Sequence, residues 1–396
     1  MSRLFPDPFE VLRTRLLMRA AHRHGLPLRE ANRVSLLGGG DAILEATLAL
    51  IRGAQRELRF EMYLWNDDAV GHEVQAALAG ALARGVQVRG LLDAIGSRDA
   101  KTMVEELLTA GADLRWFHPV SSWRPRLWNR RNHCKVIIAD GAELVMGSAN
   151  WGLDYRPAEN RAAFLDLGMA LRGPSIADVV ADFAEAWRRT SGAPPPPMAD
   201  AVGEEPFWAG PWHGGAQVQV ISSLGRGGRR RMRRHLRLLL SRVQRELLIA
   251  NAYFIPTILV LRRLKHLATR GCRVVLLLPG ASDQPFVQAA SRHIYGSLLA
   301  SGIRIFEREG IMLHAKAALL DGETLLVGSA NLDSRSFRLN LELNLLVRQP
   351  ELVAEARQLF EEQLRHSVEC TSTDWSHRPW WLRTWSWLAY RFRGWL

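Results

Sequence analysis

The sequence predicts an α/β protein built as two pseudo-twofold-related α/β/α sandwich domains that share one active site at their interface. Three observations carry this. An eighteen-residue segment occurs twice, each half alternates helix-period segments with short β-branched runs, and a proline-rich stretch separates the halves. The repeat is His133 to Asn150, which aligns without gaps on His314 to Asn331 at an offset of 181 with nine of eighteen residues identical. Chance agreement is about one in twenty per position for average usage, so the chain is an internal duplication.

Taken in order, residues 1–33 mix Arg, Asp, Glu and Pro, which reads as a helical segment without the pattern of a secretory signal. The first domain is expected over 34–190. Arg56-Glu57-Leu58 opens a strand-like run through Tyr63, Val70 to Ala83 has helical period, and Arg84-Gly85 leads into a second β-branched run. Residues 191–210, with Pro194 to Pro197, form the linker. The second domain, 211–370, repeats the order: Arg245-Glu246-Leu247 and a run through Tyr253, a helix over Ile258 to Thr269, then Arg270-Gly271 and a strand. Residues 371–396 are a Trp- and Arg-rich tail.

Composition narrows the partners. The 396 residues carry a net charge of +12, which suits an anionic membrane surface or nucleic acid. Of the 52 basic residues only four are lysine, and two of these, Lys135 and Lys316, occupy matching places in the repeat. Three cysteines without metal-ligand spacing point to reduced thiols, and no apolar run approaches the ~20 residues of a membrane-spanning helix.

In the repeat, His-x-Lys sets two side chains on one face of an extended segment. Two facing copies bring together the imidazoles of His133 and His314 and the ammonium groups of Lys135 and Lys316. Around them lie Asp140 and Asp321 and the Gly-Ser-x-Asn residues Ser148, Asn150, Ser329 and Asn331. That set suits phosphoryl transfer: one imidazole attacks phosphorus, the other protonates the leaving alkoxide, and Lys and Asn stabilise the nonbridging oxygens. Ser148, Asn150, Ser329 and Asn331 are expected to bind substrate. The Asp residues are counted with the catalytic set, although, each before a Gly, they suit a turn more than chemistry. No metal and no cofactor is expected.

His-x-Lys-x-x-x-x-Asp followed by Gly-Ser-x-Asn, occurring twice, resembles the phospholipase D superfamily and within it the bacterial cardiolipin synthase B type. Phe60 to Trp65, Leu91 to Ser97, Arg130 to His133 and Ala250 to Pro256 extend the resemblance over roughly residues 34–348. It implies transfer through a phosphatidyl-histidine, making cardiolipin from two phosphatidylglycerols with release of glycerol. It also implies that the first-copy histidine, His133, is the nucleophile and His314 the acid and base. The family orients each imidazole with a downstream carboxylate, which implies Glu342 for His314 and Asp166 for His133. With water as acceptor the same chemistry is a phospholipase D-type hydrolysis; a nuclease on the same fold and a catalytically dead lipid-binding module are the further alternatives.

Access to a lipid is expected from the tail. Six of the fourteen tryptophans lie between Trp375 and Trp395, and helical spacing gathers Trp381, Trp385, Leu388, Phe392 and Trp395 on one side. This reads as an interfacial amphipathic helix, the alternative being a terminal helix packed on the core. Trp123, Arg124, Arg126 and Trp128, just before the first motif, read as a headgroup-binding lip. An anionic phospholipid membrane with phosphatidylglycerol is the expected partner, met at the cytoplasmic face of the bacterial inner membrane; no nucleic acid is expected.

Overall fold

A computed structural model describes residues 27–119, 128–156, 164–198, 205–224 and 227–394. Fifteen strands form one sheet in the order β15-β11-β10-β9-β12-β13-β14-β8-β1-β7-β6-β5-β2-β3-β4. Its centre is the antiparallel pair of β1 (Leu28–Gly38) and β8 (His213–Ser222), and from that pair the strand order runs outward in matching sequence on both sides. The first half contributes β1, β7 (Leu167–Arg172), β6 (Glu143–Gly147), β5 (Val136–Ala139), β2 (Glu57–Met62), β3 (Gln87–Asp93) and β4 (Asp113–Phe117). The second contributes β8, β14 (Leu343–Arg348), β13 (Thr324–Gly328), β12 (Lys316–Leu320), β9 (Glu246–Asn251), β10 (Arg273–Pro279), β11 (Arg304–Arg308) and an added edge strand, β15 (Ser367–Cys370). Residues 28–33, expected in the N-terminal segment, belong to β1, and residues 1–26 lie outside the described part.

Helices cover both faces. On one face lie α1 (Gly40–Gly53), α2 (Ala69–Ala83) and α3 (Lys101–Thr109) in the first half, and α5 (Gly228–Arg242), α6 (Ile258–Thr269) and α7 (Pro285–Leu299) in the second. These helices enclose separate cores, one around Phe60, Trp65 and Leu78, the other around Leu264, Tyr295 and Leu298. The opposite face carries α4 (Ile176–Ser191) and α9 (Pro350–Arg365), and its core runs through both halves. There α4 packs on β2 and β4 but also on β8, while α9 reaches β1. Phe183, Trp187, Val218, Leu345 and Phe360 are thus one continuous buried set. Burying that apolar surface favours the joined arrangement over two separate sandwiches.

Strands β2, β3 and β4 run parallel, whereas β5 returns antiparallel beside β2 and β6 returns beside β5. The start of β5, the end of β6 and the carboxyl end of β2 therefore meet at one edge of the sheet. The second half repeats this with β9, β12 and β13. The carboxyl edge of an open α/β sheet is where ligands are bound.

Two further helices end the described chain, α10 (Ser372–Ser376) and α11 (Trp380–Arg391), the second packed along α7; the short α8 (Ser334–Arg338) follows β13.

Candidate active site

Each motif segment is held by the opposite half. The His133 N–H donates to the Leu341 carbonyl at 2.9 Å, and the His314 N–H donates to the Leu165 carbonyl at 2.8 Å. Parallel bridges Asn132–Leu341 and Leu165–Leu313 continue these contacts. Leu341 and Leu165 each immediately precede an acidic residue, so the bridging strands carry the carboxylates across the pseudo-dyad. Nδ1 of His133 lies 3.1 Å from Glu342, and Nδ1 of His314 lies 2.7 Å from Asp166. This reverses the expected assignment of Glu342 to His314 and Asp166 to His133. The acid belongs to the neighbour because the chain beyond β6 and β13 crosses the interface before it turns back.

Both carboxylates are fully buried. Burial works to raise them, but the facing imidazole, its hydrogen bond and the nearby lysine hold both below the ordinary carboxylate range. An ionised carboxylate only accepts, so Nδ1 carries the proton and Nε2 presents its lone pair. Burial depresses both imidazoles, His133 to about 4 against the pull of Glu342, and His314 with Lys316 adding to the effect. The lysines are depressed by burial as well, Lys135 to about 8 and Lys316 to about 7. The field of Lys316 reaches His133 and that of Lys135 reaches His314, so the four groups form one electrostatic unit.

The halves differ in one respect. Lys316 Nζ stands 2.8 Å from Nε2 of His314, a contact that needs a lone pair on one of the two nitrogens and so makes them a proton-sharing pair. Both lysines donate to the carbonyl of their own histidine, Lys316 at 2.6 Å and Lys135 at 2.8 Å, but Lys135 makes no contact with Nε2 and sits over the Tyr63 ring, with its nitrogen 5.0 Å from the centroid. His133 is partly exposed, while His314 is buried.

The two serines differ from their expected substrate-binding role. Ser148 donates to Asp166 at 2.6 Å and accepts the Leu167 N–H at 3.0 Å. Ser329 donates to Glu342 at 2.5 Å and accepts the Leu343 N–H at 3.0 Å. Their hydroxyls anchor the carboxylates that orient the histidines. The preceding glycines allow close strand approach: a Cβ on Gly147 would lie 2.7 Å from Gly168 Cα, and one on Gly328 would lie 2.4 Å from the Leu343 carbonyl oxygen. Asn150 and Asn331 each bury an amide oxygen without a hydrogen-bond partner. A half-turn of the amide exchanges oxygen for N–H, so each can offer a donor to a phosphoryl oxygen.

Asp140 and Asp321, expected as catalytic, lie at the far ends of β5 and β12 from the histidines. Both adopt positive φ, 52° and 54°. The Asp140 carboxylate accepts the N–H groups of Gln55, Arg56 and Glu57 at 2.8–2.9 Å. Asp321 does the same for Gln244, Arg245 and Glu246 at 2.8–3.1 Å. They fasten the β5–β6 and β12–β13 hairpins to the starts of β2 and β9, a structural task. Asp140→Ala is expected to destabilise the fold by roughly 2–4 kcal/mol, since three donors lose a charged acceptor, while folded protein keeps turnover within about tenfold. Thermal melting and active-site-normalised kinetics check this; a loss above about a thousandfold in a folded variant would restore the catalytic assignment.

Other residues complete the edge without having been assigned a role from sequence. Tyr63 meets His133 edge-on at 4.9 Å, and Tyr155 and Tyr253 stand 5.4 and 6.4 Å from His314. Tyr253 donates to Asp283 at 2.8 Å. Asp93 accepts the Asn132 N–H at 2.8 Å and pairs with Arg131, while the Asn132 amide donates to Glu61 at 2.6 Å. This brace fixes the strand entry to His133. Its signal was an acidic residue near the carboxyl end of each of β2 and β3, Glu61 and Asp93, together with Arg131-Asn132 just before the first motif.

Of the expected headgroup residues, Trp128 is 44% exposed, and Trp123, Arg124 and Arg126 lie outside the described residues. Helix α11 docks by Ser386 and Ala389, which are buried, leaving Trp381 and Trp385 exposed at 56% and 46%; Trp395 lies outside the described residues. Among the described residues no group of three or more His, Cys, Asp or Glu is arranged to hold a metal, and no helix is long and apolar enough to cross a membrane.

A duplicated α/β sheet with a His-Lys pair from each half at one edge defines the phospholipase D-like class. The family described as "Cardiolipin synthase, PLD-like domain" matches residues 47–162 and 236–364. Cardiolipin synthase B of Escherichia coli strain K12 is 32% identical over 390 residues, covering 92% of this chain and 88% of that protein. Cardiolipin synthase A of Pseudomonas aeruginosa strain LESB58 is 32% identical over 355 residues, covering 88% of this chain and 70% of that protein. The crystal structure of phosphatidylserine synthase from Haemophilus influenzae Rd KW20 is similar with a TM-score of 0.71 at 15% identity, over 95% of this chain and 97% of that one, which is a likeness of fold. The chain belongs to the cardiolipin synthase family of phospholipase D-like proteins, enzymes of the phosphatidyltransferase kind.

Proposed function

We propose that this enzyme makes cardiolipin from two phosphatidylglycerols and releases glycerol, working at the cytoplasmic face of the inner membrane as a peripheral protein. The observation that carries the substrate assignment is the 32% identity to cardiolipin synthase B over nearly the whole of both chains. The exposed indoles of α11 favour a lipid over a nucleic-acid substrate, because a nucleic-acid groove spreads single aromatics among basic residues.

In the proposed reaction Nε2 of His133 attacks the phosphorus of the donor. The bond from phosphorus to the headgroup glycerol oxygen breaks, and that oxygen takes the proton shared by His314 and Lys316. The phosphatidyl group is now on His133. The hydroxyl of a second phosphatidylglycerol then attacks, giving its proton back to the His314–Lys316 pair, and the P–N bond breaks to return the lone pair to His133. Lys135 and the amides of Asn150 and Asn331 stabilise the nonbridging oxygens. The accessible, unshared Nε2 supports His133 as nucleophile, and the lysine contact supports His314 as acid and base.

The pH profile follows from these states. His133 acts unprotonated, so kcat/KM is expected to fall as pH drops toward about 4. Lys316 and Lys135 act protonated, so it falls again as pH rises through about 7 to 8. A profile still rising above pH 8 would contradict the assignment.

The deciding experiment incubates purified protein with phosphatidylglycerol vesicles and reads products by mass spectrometry. Cardiolipin and glycerol support the proposal. Phosphatidic acid alone makes the enzyme a hydrolase, and the absence of any lipid product overturns the lipid reading in favour of a phosphodiesterase.

A further inference from the structure

We propose that the cleft between α7 and the C-terminal helices α10 and α11 is a second binding site for an anionic phospholipid headgroup, separate from the catalytic edge. The cleft is open to solvent and measures about 790 Å³, and its chemistry is set by His293, Trp375, Arg378, Trp380, Arg383 and Trp387. Among the described residues, no Asp or Glu lines it. It lies on the other flank of α11 from Trp385 and Phe392, which pack beside Phe286.

Arg378 is the centre of the argument. Its guanidinium carbon sits 3.5 Å from the Trp375 ring centroid, and Trp375 stacks at 4.7 Å on the buried Tyr295. The cation is thus fixed by a two-ring stack rooted in the core and not by a carboxylate. It has no ion-pair partner among the described residues, and its Nε is buried without a hydrogen-bond partner. Glu307, the acidic group whose field reaches it, is itself bound by Arg292 through two contacts of 2.9 and 2.7 Å. Arg383 adds a second positive charge, and the fields of Arg378 and Arg393 both act on His293.

An orphaned, immobilised guanidinium beside a second arginine matches the fork geometry of a phosphodiester. At the rim, Trp380 and Trp387 are 76% and 52% exposed. Indoles held outward around a cationic cleft suit the headgroup layer of a bilayer, where their apolar bodies enter the interface while the phosphate meets the arginines. The same charge would attract free phosphate or an acidic peptide, but neither explains indoles displayed on the open side. Occupation would hold the enzyme on anionic lipid through the second half, leaving the catalytic edge free to exchange substrates. The inference rests on the lipid reading only for its biological sense; the binding is measured apart from turnover.

The test uses the full chain with His133→Ala, so that no lipid is consumed, and sedimentation with phosphatidylcholine vesicles with and without phosphatidylglycerol. Arg378→Gln with Arg383→Gln is expected to weaken binding to the phosphatidylglycerol vesicles by roughly tenfold or more. Binding to pure phosphatidylcholine should stay unchanged. The Arg378→Lys, Arg383→Lys pair should fall between, because charge remains while bidentate geometry is lost. The same Gln pair in otherwise unaltered enzyme should keep full turnover on short-chain, monomeric phosphatidylglycerol, which also shows that it folds. Undiminished vesicle binding by the Gln pair overturns the proposal. Inorganic phosphate that displaces the protein from vesicles better than chloride of equal ionic strength reassigns the cleft to a free anion and also overturns it. Loss of turnover on the short-chain substrate by the unaltered enzyme, with vesicle binding intact, would refute the proposed reaction and leave the headgroup site standing.

Discussion

Alanine at His133 and alanine at His314 are each expected to lower phosphatidyl transfer by at least about 10⁴-fold, yet to fail at different bonds. With His133 gone there is no nitrogen to receive the phosphatidyl group, whatever the donor. Without His314 the attack still has its nucleophile, and what is missing is a proton for the departing glycerol oxygen. A donor whose leaving group is a stable phenolate needs no such proton. His314→Ala given that donor should therefore form the covalent adduct, and should then hold it, because no base remains to activate the acceptor alcohol. Mass spectrometry of the peptide containing residues 131–135 would find the phosphatidyl group on His133. An adduct on His314 in the His133→Ala protein would invert the roles. The asymmetry in the structure favours the first outcome: both lysines donate to the carbonyl of their own histidine, but only Lys316 also engages Nε2, at 2.8 Å from that of His314.

What the sequence made legible and what it hid have one cause, the duplication. Identity at a constant offset exposed both His-Lys pairs, because matched spacing is visible without any knowledge of contacts. The same signal does not separate reactive groups from fasteners, so Asp140, Asp321, Ser148 and Ser329 stood out beside the histidines. A duplicated fold repeats its fasteners as faithfully as its reactive groups, and three backbone donors on one carboxylate leave no mark in the sequence. The alternation of helix and strand announced two α/β layers, but the joining of β1 to β8 depends on edges meeting in space. For the tail, tryptophans at helical spacing fit a buried stripe as well as an interfacial one. The direction was decided by Ser386 and Ala389, small residues that let α11 lie close along α7.

The crossed carboxylates carry the second large effect. Glu342→Gln and Asp166→Asn keep size and remove the charge, so each imidazole loses the acceptor that fixes its proton on Nδ1. Loss of that tautomer costs roughly 10²–10⁴-fold in comparable acid–imidazole pairs. The pairing decides which step suffers. Glu342 lies 209 residues from His133 but holds it, so Glu342→Gln is expected to slow adduct formation even with the phenolate donor. Asp166→Asn should leave adduct formation from that donor near normal and slow the transfer to the acceptor alcohol, because its target is His314, 148 residues away. Assignment within each half, as the motif order suggests, reverses both expectations. A double-mutant cycle makes the distinction independent of mechanism: Glu342 should couple strongly to His133 and be nearly additive with His314. Coupling within the halves instead would mean that the bridges Asn132–Leu341 and Leu165–Leu313 do not hold in solution, and with them would go the reason for a single continuous sheet. An enzyme whose two imidazoles are each completed by the other half cannot be active as separated halves. The duplication therefore preserved its two reactive groups and its joined sheet as one feature.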